Sequence, residues 1–388
     1  MEHFLEFLGE QEFMKFKMTS PKFILSKKVL KDQVKILEDL GLKVSYSYKT
    51  NREVGKILQN LSDCDFSIHE KFEIDEINDK KKIWFFTQAE NKEELEDILK
   101  KGVRNFVVDN EIDLNRLLEV VEKFNSQFCS DPVPTRPTTP SELSKNNSQN
   151  RSSENLRINL SLRMKFQEHR VGTGKYFVYG MSSKKVNELI LKINGNENIE
   201  KLGIHVHRKS QNTSEWEIKE ELVDSLNEEC LNAIDFVNFG GGLPSVYKSY
   251  SGNVYNYIFE KIGEGVKWLN EKKIECYIEP GRFLAAPCVK LETEIIQVYE
   301  GNIVINVSIY NCALDCVLTN TKMLIEGELE EGECFLIKGN SPTRDDIFRY
   351  RVKLDSPKVG DKIVFLNAGA YNYATDFFGY KKLETEVV

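Results

Sequence analysis

The sequence predicts an α/β chain in two parts: a TIM-type (β/α)8 barrel over 27–285, and an antiparallel β-rich domain from 1–26 and 286–388. Three observations carry this expectation. Between Lys31 and Gly281, eight short apolar runs alternate with amphipathic stretches, the pattern of βα units around a parallel sheet. After Arg282 the runs are short and β-rich, with no helical stretch between them. Polar residues gather where the apolar runs of the first part end, and a barrel of this kind carries its chemistry at the C-terminal strand ends.

In chain order, Glu12 to Lys17 alternates in part, and Ser20 to Leu25 reads as an extended entry that belongs with the C-terminal β region. The eight barrel strands are expected at Val44 to Thr50, Cys64 to His69, Ile83 to Gln88, Asn105 to Asn110, Arg157 to Met164, Lys201 to Arg208, Ala233 to Gly242 and Ile274 to Gly281. Between the fourth helix and the fifth strand, about 130–155 is rich in Pro, Ser, Thr and Asn. It cannot bury enough apolar surface to order itself, so a disordered loop is expected, on the face away from the strand ends. The β domain is expected to use Leu291 to Tyr299, Ile303 to Ile309, Glu333 to Ile337, Ile347 to Lys353 and Lys362 to Leu366.

With 388 residues, 40% of them hydrophobic and 11% aromatic, the chain can bury a large core in two domains. The formal charge of −8 is spread without a basic block, which argues against nucleic acid or an anionic membrane as the main partner and leaves small molecules. No apolar run has the length of a membrane span, and Met1 to Leu30 is charged throughout, unlike a signal peptide, so a cytoplasmic protein is expected. The eight cysteines show no CxxC spacing, and Cys64 and Cys276 fall inside strands; reduced thiols and no metal site are expected.

Two stretches carry chemistry. Ile274 to Arg282 reads as a buried strand ending in a carboxylate (Glu279), a turn and a guanidinium (Arg282). Ala233 to Phe239 stops at Gly240-Gly241-Gly242, a turn whose bare N–H groups can close on an anion such as phosphate. Lys49, at the end of the first strand, suits a Schiff-base lysine, which must lose its proton near neutral pH beside a phosphate-bearing cofactor.

The ordered pair of a Gly-Gly-Gly turn and a Glu-Pro-Gly-Arg turn resembles the fold-type III pyridoxal-phosphate decarboxylases, the ornithine, arginine and diaminopimelate enzymes. The resemblance runs from about residue 20 to the end, leaving out the low-complexity stretch. It implies pyridoxal 5'-phosphate as cofactor and Lys49 as the lysine that carries it. His207 and Ser210, in Gly203 to Ser210, match a ring-stacking imidazole and a phosphate-binding hydroxyl. Arg163 matches an arginine near the cofactor's phenolic oxygen. Glu279 matches the carboxylate that keeps the ring nitrogen protonated, and Gly240, Gly241, Gly242, Gly281 and Arg282 match phosphate ligands. Tyr371, in Asn367 to Tyr371, matches a tyrosine that reaches the phosphate. His205 points to the same side as His207 and reads as a packed barrel histidine.

The match breaks in places. In Gly339 to Asp346, Pro342 and Thr343 stand where the family has a cysteine and an acid from the neighbouring subunit, so the usual donor of the product proton is missing. Cys312 or Cys316 is a candidate replacement, a packed thiol being the blander reading. Asp315 could hold a cationic end of a substrate, and Arg344 and Asp345 lie in the other segment whose counterparts reach substrate. Arg208 and Lys209 could bind a substrate carboxylate or the cofactor, or face solvent. Ser67 or Asp65 could take the place of the acid often found at the end of the second strand.

The resemblance implies decarboxylation of a basic, diaminopimelate-like or larger amino-carboxyl substrate through an external aldimine, in which the substrate amine displaces Lys49. A racemase or epimerase on the same fold is the alternative, needing a base on each ring face; Tyr310 or Tyr373 would serve, but Glu279 speaks against it. A non-catalytic cofactor-binding homologue is a third reading, opposed by the presence of every cofactor ligand. A homodimer with two composite active sites is expected, because the family's β-domain loops face the barrel mouth of the partner.

Overall fold

The computed structural model describes residues 19–130, 155–166, 179–250, 254–373 and 379–388. The chain divides into two compact units. One comprises Lys27–Ser245 with Ser251–Ala285; the other comprises the residues up to Ser26, Val246–Tyr250 and Ala286–Val388.

In the first unit, Lys43–Ser47, Asp65–Ile68, Ile83–Thr87, Asn105–Val108, Ile158–Met164, Ile199–Val206, Phe236–Asn238 and Glu275–Ile278 form a closed parallel barrel in chain order. The ring closes where Lys43 and Val44 pair with Tyr277 and Ile278. Amphipathic helices connect the strands. The first, Lys27–Asp39, buries Leu30, Val34 and Leu37, one stripe at helical spacing. All eight expected strands are present.

Inside the barrel, Trp84, Phe86, Val107, Phe236 and Tyr277 form an apolar plug. Trp84 meets Phe236 and Tyr277 edge-to-face, with ring centroids 5.2 and 5.6 Å apart. Gly203 leaves the room for this plug: a Cβ there would lie 2.5 Å from the Phe236 ring. Nearer the C-terminal strand ends the interior turns polar, with Ser45, Ser67, His205, Asn238 and Glu279 all buried. Buried polar groups on this scale must satisfy one another.

The second unit is one sheet in the order Leu324–Ile325, Lys362–Leu366, Val289–Tyr299, Asn302–Ile305, Cys334–Lys338, Ile347–Lys353. Lys22–Leu25 pairs antiparallel with Val289–Tyr299 and parallel with Glu384–Val387. The sheet is mostly antiparallel, but Asn302–Ile305 and Cys334–Lys338 are also parallel. Parallel neighbours need long connections. The barrel supplies one, and two short helices, Ile309–Cys312 and Leu314–Thr319, lie within the other. The β domain is thus mostly antiparallel, as expected, with two parallel pairs added, and the two short helices correct the expectation of runs with no helical stretch between them.

The Pro- and Ser-rich stretch lies, apart from its ends, outside the described residues, as does Glu12 to Lys17. Among the described residues no helix is long and apolar enough to cross a membrane. Cys64, Cys230, Cys276, Cys288, Cys312, Cys316 and Cys334 are free thiols.

Candidate active site

The first barrel strand stops at Ser47, and a single 3-10 turn, Tyr48–Thr50, carries Lys49 before the helix Arg52–Leu61 begins. Asn51 caps that helix, its side chain accepting from the N–H groups of Glu53 and Val54 at 3.0 and 3.2 Å. The Tyr46 hydroxyl donates to the Asn51 carbonyl at 3.0 Å, and Tyr46 and Tyr48 are fully buried. A rigid frame therefore presents Lys49, which is itself exposed. Its Nζ lies 3.4 Å from His69 Nε2. Surrounding protein, and then the Arg163 charge, hold the lysine below its ordinary pKa against the opposing pull of Glu279 and Glu73.

The same turn meets the second motif. Ser47 N–H donates to the Pro280 carbonyl at 3.3 Å, and a Cβ on Gly281 would collide with Thr50 Oγ1. Glu279 follows the last barrel strand and is only 4% exposed. Its Oε1 accepts from Ser67 Oγ at 2.8 Å and Asn238 Nδ2 at 2.9 Å, and its Oε2 faces His205 Nε2 at 2.8 Å. Burial alone would raise the Glu279 carboxyl; the His205 ring and the hydrogen bonds outweigh it and hold the group at about 2. Glu279 is thus an ionised carboxylate inside the barrel mouth.

The glycine turn packs on the sixth strand. A Cβ on Gly240 (φ +66) would run into the Val206 carbonyl, and one on Gly242 (φ +113) would lie 2.8 Å from Arg208 Cβ. Only glycine fits both the conformation and the space. The Gly240 N–H goes to Asn238 Oδ1 at 2.8 Å and that of Gly241 to His207 Nδ1 at 3.3 Å. The N–H groups of Gly242 and Gly281 have no hydrogen-bond partner among the described residues.

His207 is exposed at the barrel mouth. The protein crowded around it, then His205 and Arg163, push its imidazole below the ordinary pKa. Arg163 is half-buried, 3.2 Å from Asp109 and stacked on Tyr179. Ser210 lies exposed in the loop after His207. Arg282 opens the short helix Arg282–Ala285 and is buried, and its carbonyl accepts from Ser245 Oγ at 3.0 Å. Arg208 requires a correction. It is fully buried between the rings of Phe166 and Trp216, donating to the Glu215 and Phe239 carbonyls and to Glu221. It does not face solvent, and a cation spent on three acceptors is a brace of the fold and not a substrate ligand. Lys209 is exposed.

In the β unit, Asp315 is buried, its N–H held by Asn372 Oδ1 at 3.1 Å. Cys312 is buried and donates to the Ser308 carbonyl at 3.1 Å; burial keeps its thiol protonated well beyond the usual range. Tyr371, at φ +57, is partly exposed. Arg344 and Asp345 are exposed with Pro342 and Thr343, whereas Asp346 is buried, accepting from the N–H groups of Ile309 and Ser341 at 2.7 and 3.0 Å.

The environment of Glu279 differs from the sequence expectation. Alternation packs His205 and leaves Ser67 open against Asp65, whereas the structure puts both His205 and Ser67 on the carboxylate and Asp65 on Trp84 Nε1 at 3.0 Å. His69 beside Lys49 and Asn238 beneath the glycine turn lie in no motif that marks them. Strand alternation tells which side a residue faces, and that signal was present for both.

The barrel mouth thus brings an unpartnered pair of glycine N–H groups near an ionised buried carboxylate, an open imidazole and a lysine of lowered pKa. That donor set fits a phosphate-bearing, nitrogen-protonated aromatic aldehyde. Residues 26–286 match the family model described as pyridoxal-dependent decarboxylase, pyridoxal binding domain. Solved structures of similar fold include lysine decarboxylase from Selenomonas ruminantium (TM-score 0.74, 16% identity, covering 95% of this chain and 92% of that one). Lysine/ornithine decarboxylase from Vibrio vulnificus, complexed with putrescine, gives a TM-score of 0.67 at 19% identity over 100% and 97%. The arginine decarboxylase of Paramecium bursaria Chlorella virus gives 0.69 at 18% identity over 95% and 96%. At these identities the likeness is one of fold. None of the curated protein sequences matches the chain.

Proposed function

We propose a function from one premise: the chain belongs to the pyridoxal-dependent decarboxylase family, whose pyridoxal-binding domain spans residues 26–286. The reading is that it holds pyridoxal 5'-phosphate at the barrel mouth and removes carbon dioxide from a basic amino acid. The observation that carries it is Glu279, a buried carboxylate kept anionic by three hydrogen bonds where a protonated ring nitrogen would need a counter-charge. The bound cofactor would supply an electron-withdrawing ring for the carbanion left by carbon dioxide.

The chain's own residues do the rest. Lys49 offers an amine that its surroundings bias toward the reactive neutral form. Gly242 and Gly281, with Ser210, Arg282 and Tyr371, would hold the phosphate. His207, open at the mouth, would cover one ring face, and Arg163 would sit by the phenolic oxygen. Asp315 would take the distal ammonium or guanidinium of a substrate, within a homodimer whose sites are shared. The fold likeness to lysine, ornithine and arginine decarboxylases supports a cationic side chain as the substrate's distinguishing group.

The test is carbon dioxide release from lysine, ornithine, arginine and diaminopimelate, with Lys49→Ala beside the parent chain. Release from at least one, lost in the variant, is expected. Release that survives in Lys49→Ala, or none from any of the four, would overturn the reading.

A further inference from the structure

The geometry points to His205 as a positioning residue for Glu279, one that fixes the carboxylate in place and limits how strongly it can hold a proton on a facing ring nitrogen. This inference rests on the reading given under Proposed function.

Glu279 has three side-chain donors. Two cannot titrate, Ser67 and Asn238, and both lie on Oε1. Among the described residues, Oε2 is met by His205 alone, at 2.8 Å. The imidazole reaches from the sixth strand past the seventh to the end of the eighth. It is fully buried, edge-on to Phe86 at 5.1 Å and 6.1 Å from the His207 ring. Among the described residues His205 Nδ1 has no hydrogen-bond partner, so Nε2, facing the ionised carboxylate, is the nitrogen through which the ring is held.

A donor on the charged form of an acid lowers its basicity. Glu279 keeps lone pairs on Oε2 for a second donor, since an ionised carboxylate has about four acceptor directions. A ring nitrogen arriving there shares Oε2 with an imidazole that has already drawn off part of the charge. The titratable neighbours of His205 are Glu279 itself, His207 on its own strand and His69 at the end of the second, both of which it also depresses.

The experiment uses the full chain, loaded with pyridoxal phosphate carrying 15N at the ring nitrogen, and follows that nitrogen by NMR as pH is varied. A chelator keeps divalent cations off His205, His207 and Glu279, whose ligand atoms lie within 4.8 Å of one another. In His205→Ser the ring nitrogen should titrate about one unit higher than in the parent, the size of one charge-assisted hydrogen bond. His205→Gln, which restores an N–H donor without a titratable ring, should return it to the parent value. If His205→Ser does not fold, His205→Met fills the volume without a donor and should show the same rise. Identical titrations in parent and donor-less variants, or a glutamine variant that behaves like them, would overturn the inference. If no chain, the parent included, takes up the cofactor, the proposed function fails instead. The 13C-observed titration of the Glu279 carboxyl in the unloaded chains then decides the role of His205: it should titrate higher without the donor, and no change refutes it.

Discussion

Ser67 Oγ stands 2.8 Å from Glu279 Oε1 and 2.7 Å from Ser45 Oγ, so the second barrel strand, backed by the first, holds the carboxylate that follows the eighth. The acid behaviour of the fold follows from what holds this carboxylate against the cost of its burial, His205 first and then Ser67. The folded Glu279 carboxyl lies at about 2, against 4.5 for an ordinary glutamate. A depressed carboxyl stabilises the folded state above its unfolded pKa, and that contribution is lost as pH falls from 4.5 toward 2. Urea titrations at a series of pH values should show a steeper acid loss in the parent than in Glu279→Gln. Ser67→Ala should cost about 1–2 kcal/mol at neutral pH. Equal acid slopes in parent and Glu279→Gln would contradict the account.

Arg208 makes a second prediction. With its donors spent inside the barrel unit and its plane between Phe166 and Trp216, Arg208→Ala strands the Glu221 carboxylate and two carbonyls. The loss should be about 3–5 kcal/mol by urea midpoint, with lysine failing to restore it because an ammonium cannot stack and fork in this way. A neutral Arg208→Lys would refute this role as a brace.

The contrast between Arg208 and Glu279 shows where the sequence is legible. The eight strands could be read because apolar runs and amphipathic helices alternate, and because glycine, proline and the charged strand ends punctuate them. Glu279 and the glycine turn could be read because backbone demands leave few residue types able to serve. Arg208 could not, since the strand ends at Val206 and the loop beyond it folds back on Trp216 and Glu221, a long-range event that alternation does not encode. His205 could be placed on the correct side of its strand, but its partner lies 74 residues away. The two parallel pairs of the β unit were hidden for the same reason, as their strands are brought together by tertiary packing.

Asp346 explains why Gly339 is glycine. The carboxylate ties Ile309 and Ser341 together, and a Cβ on Gly339 would collide with it. Asp346→Ala leaves buried N–H donors unsatisfied and should cost about 2–4 kcal/mol. Faster amide exchange at Ile309 should accompany the loss, whereas Pro342→Cys at the exposed tip should leave the urea midpoint unchanged. Unaltered exchange at Ile309 in Asp346→Ala would refute the tie.

The proposed sharing of sites in a homodimer makes a prediction about mixtures. Lys49→Ala and Asp315→Asn chains, each inactive alone, should recover about a quarter of parental activity after random subunit exchange, because half the dimers are mixed and each mixed dimer has one intact site. No recovery after demonstrated exchange would mean that each chain completes its own site.

The proposed function requires Lys49 to hold the cofactor. Incubation of the full chain with pyridoxal phosphate, borohydride reduction and peptide mass spectrometry locate the attachment. One reduced pyridoxyl-phosphate adduct per chain, on Lys49, is expected, and its loss in Lys49→Ala. An adduct on another lysine, or none on the parent chain, would contradict it.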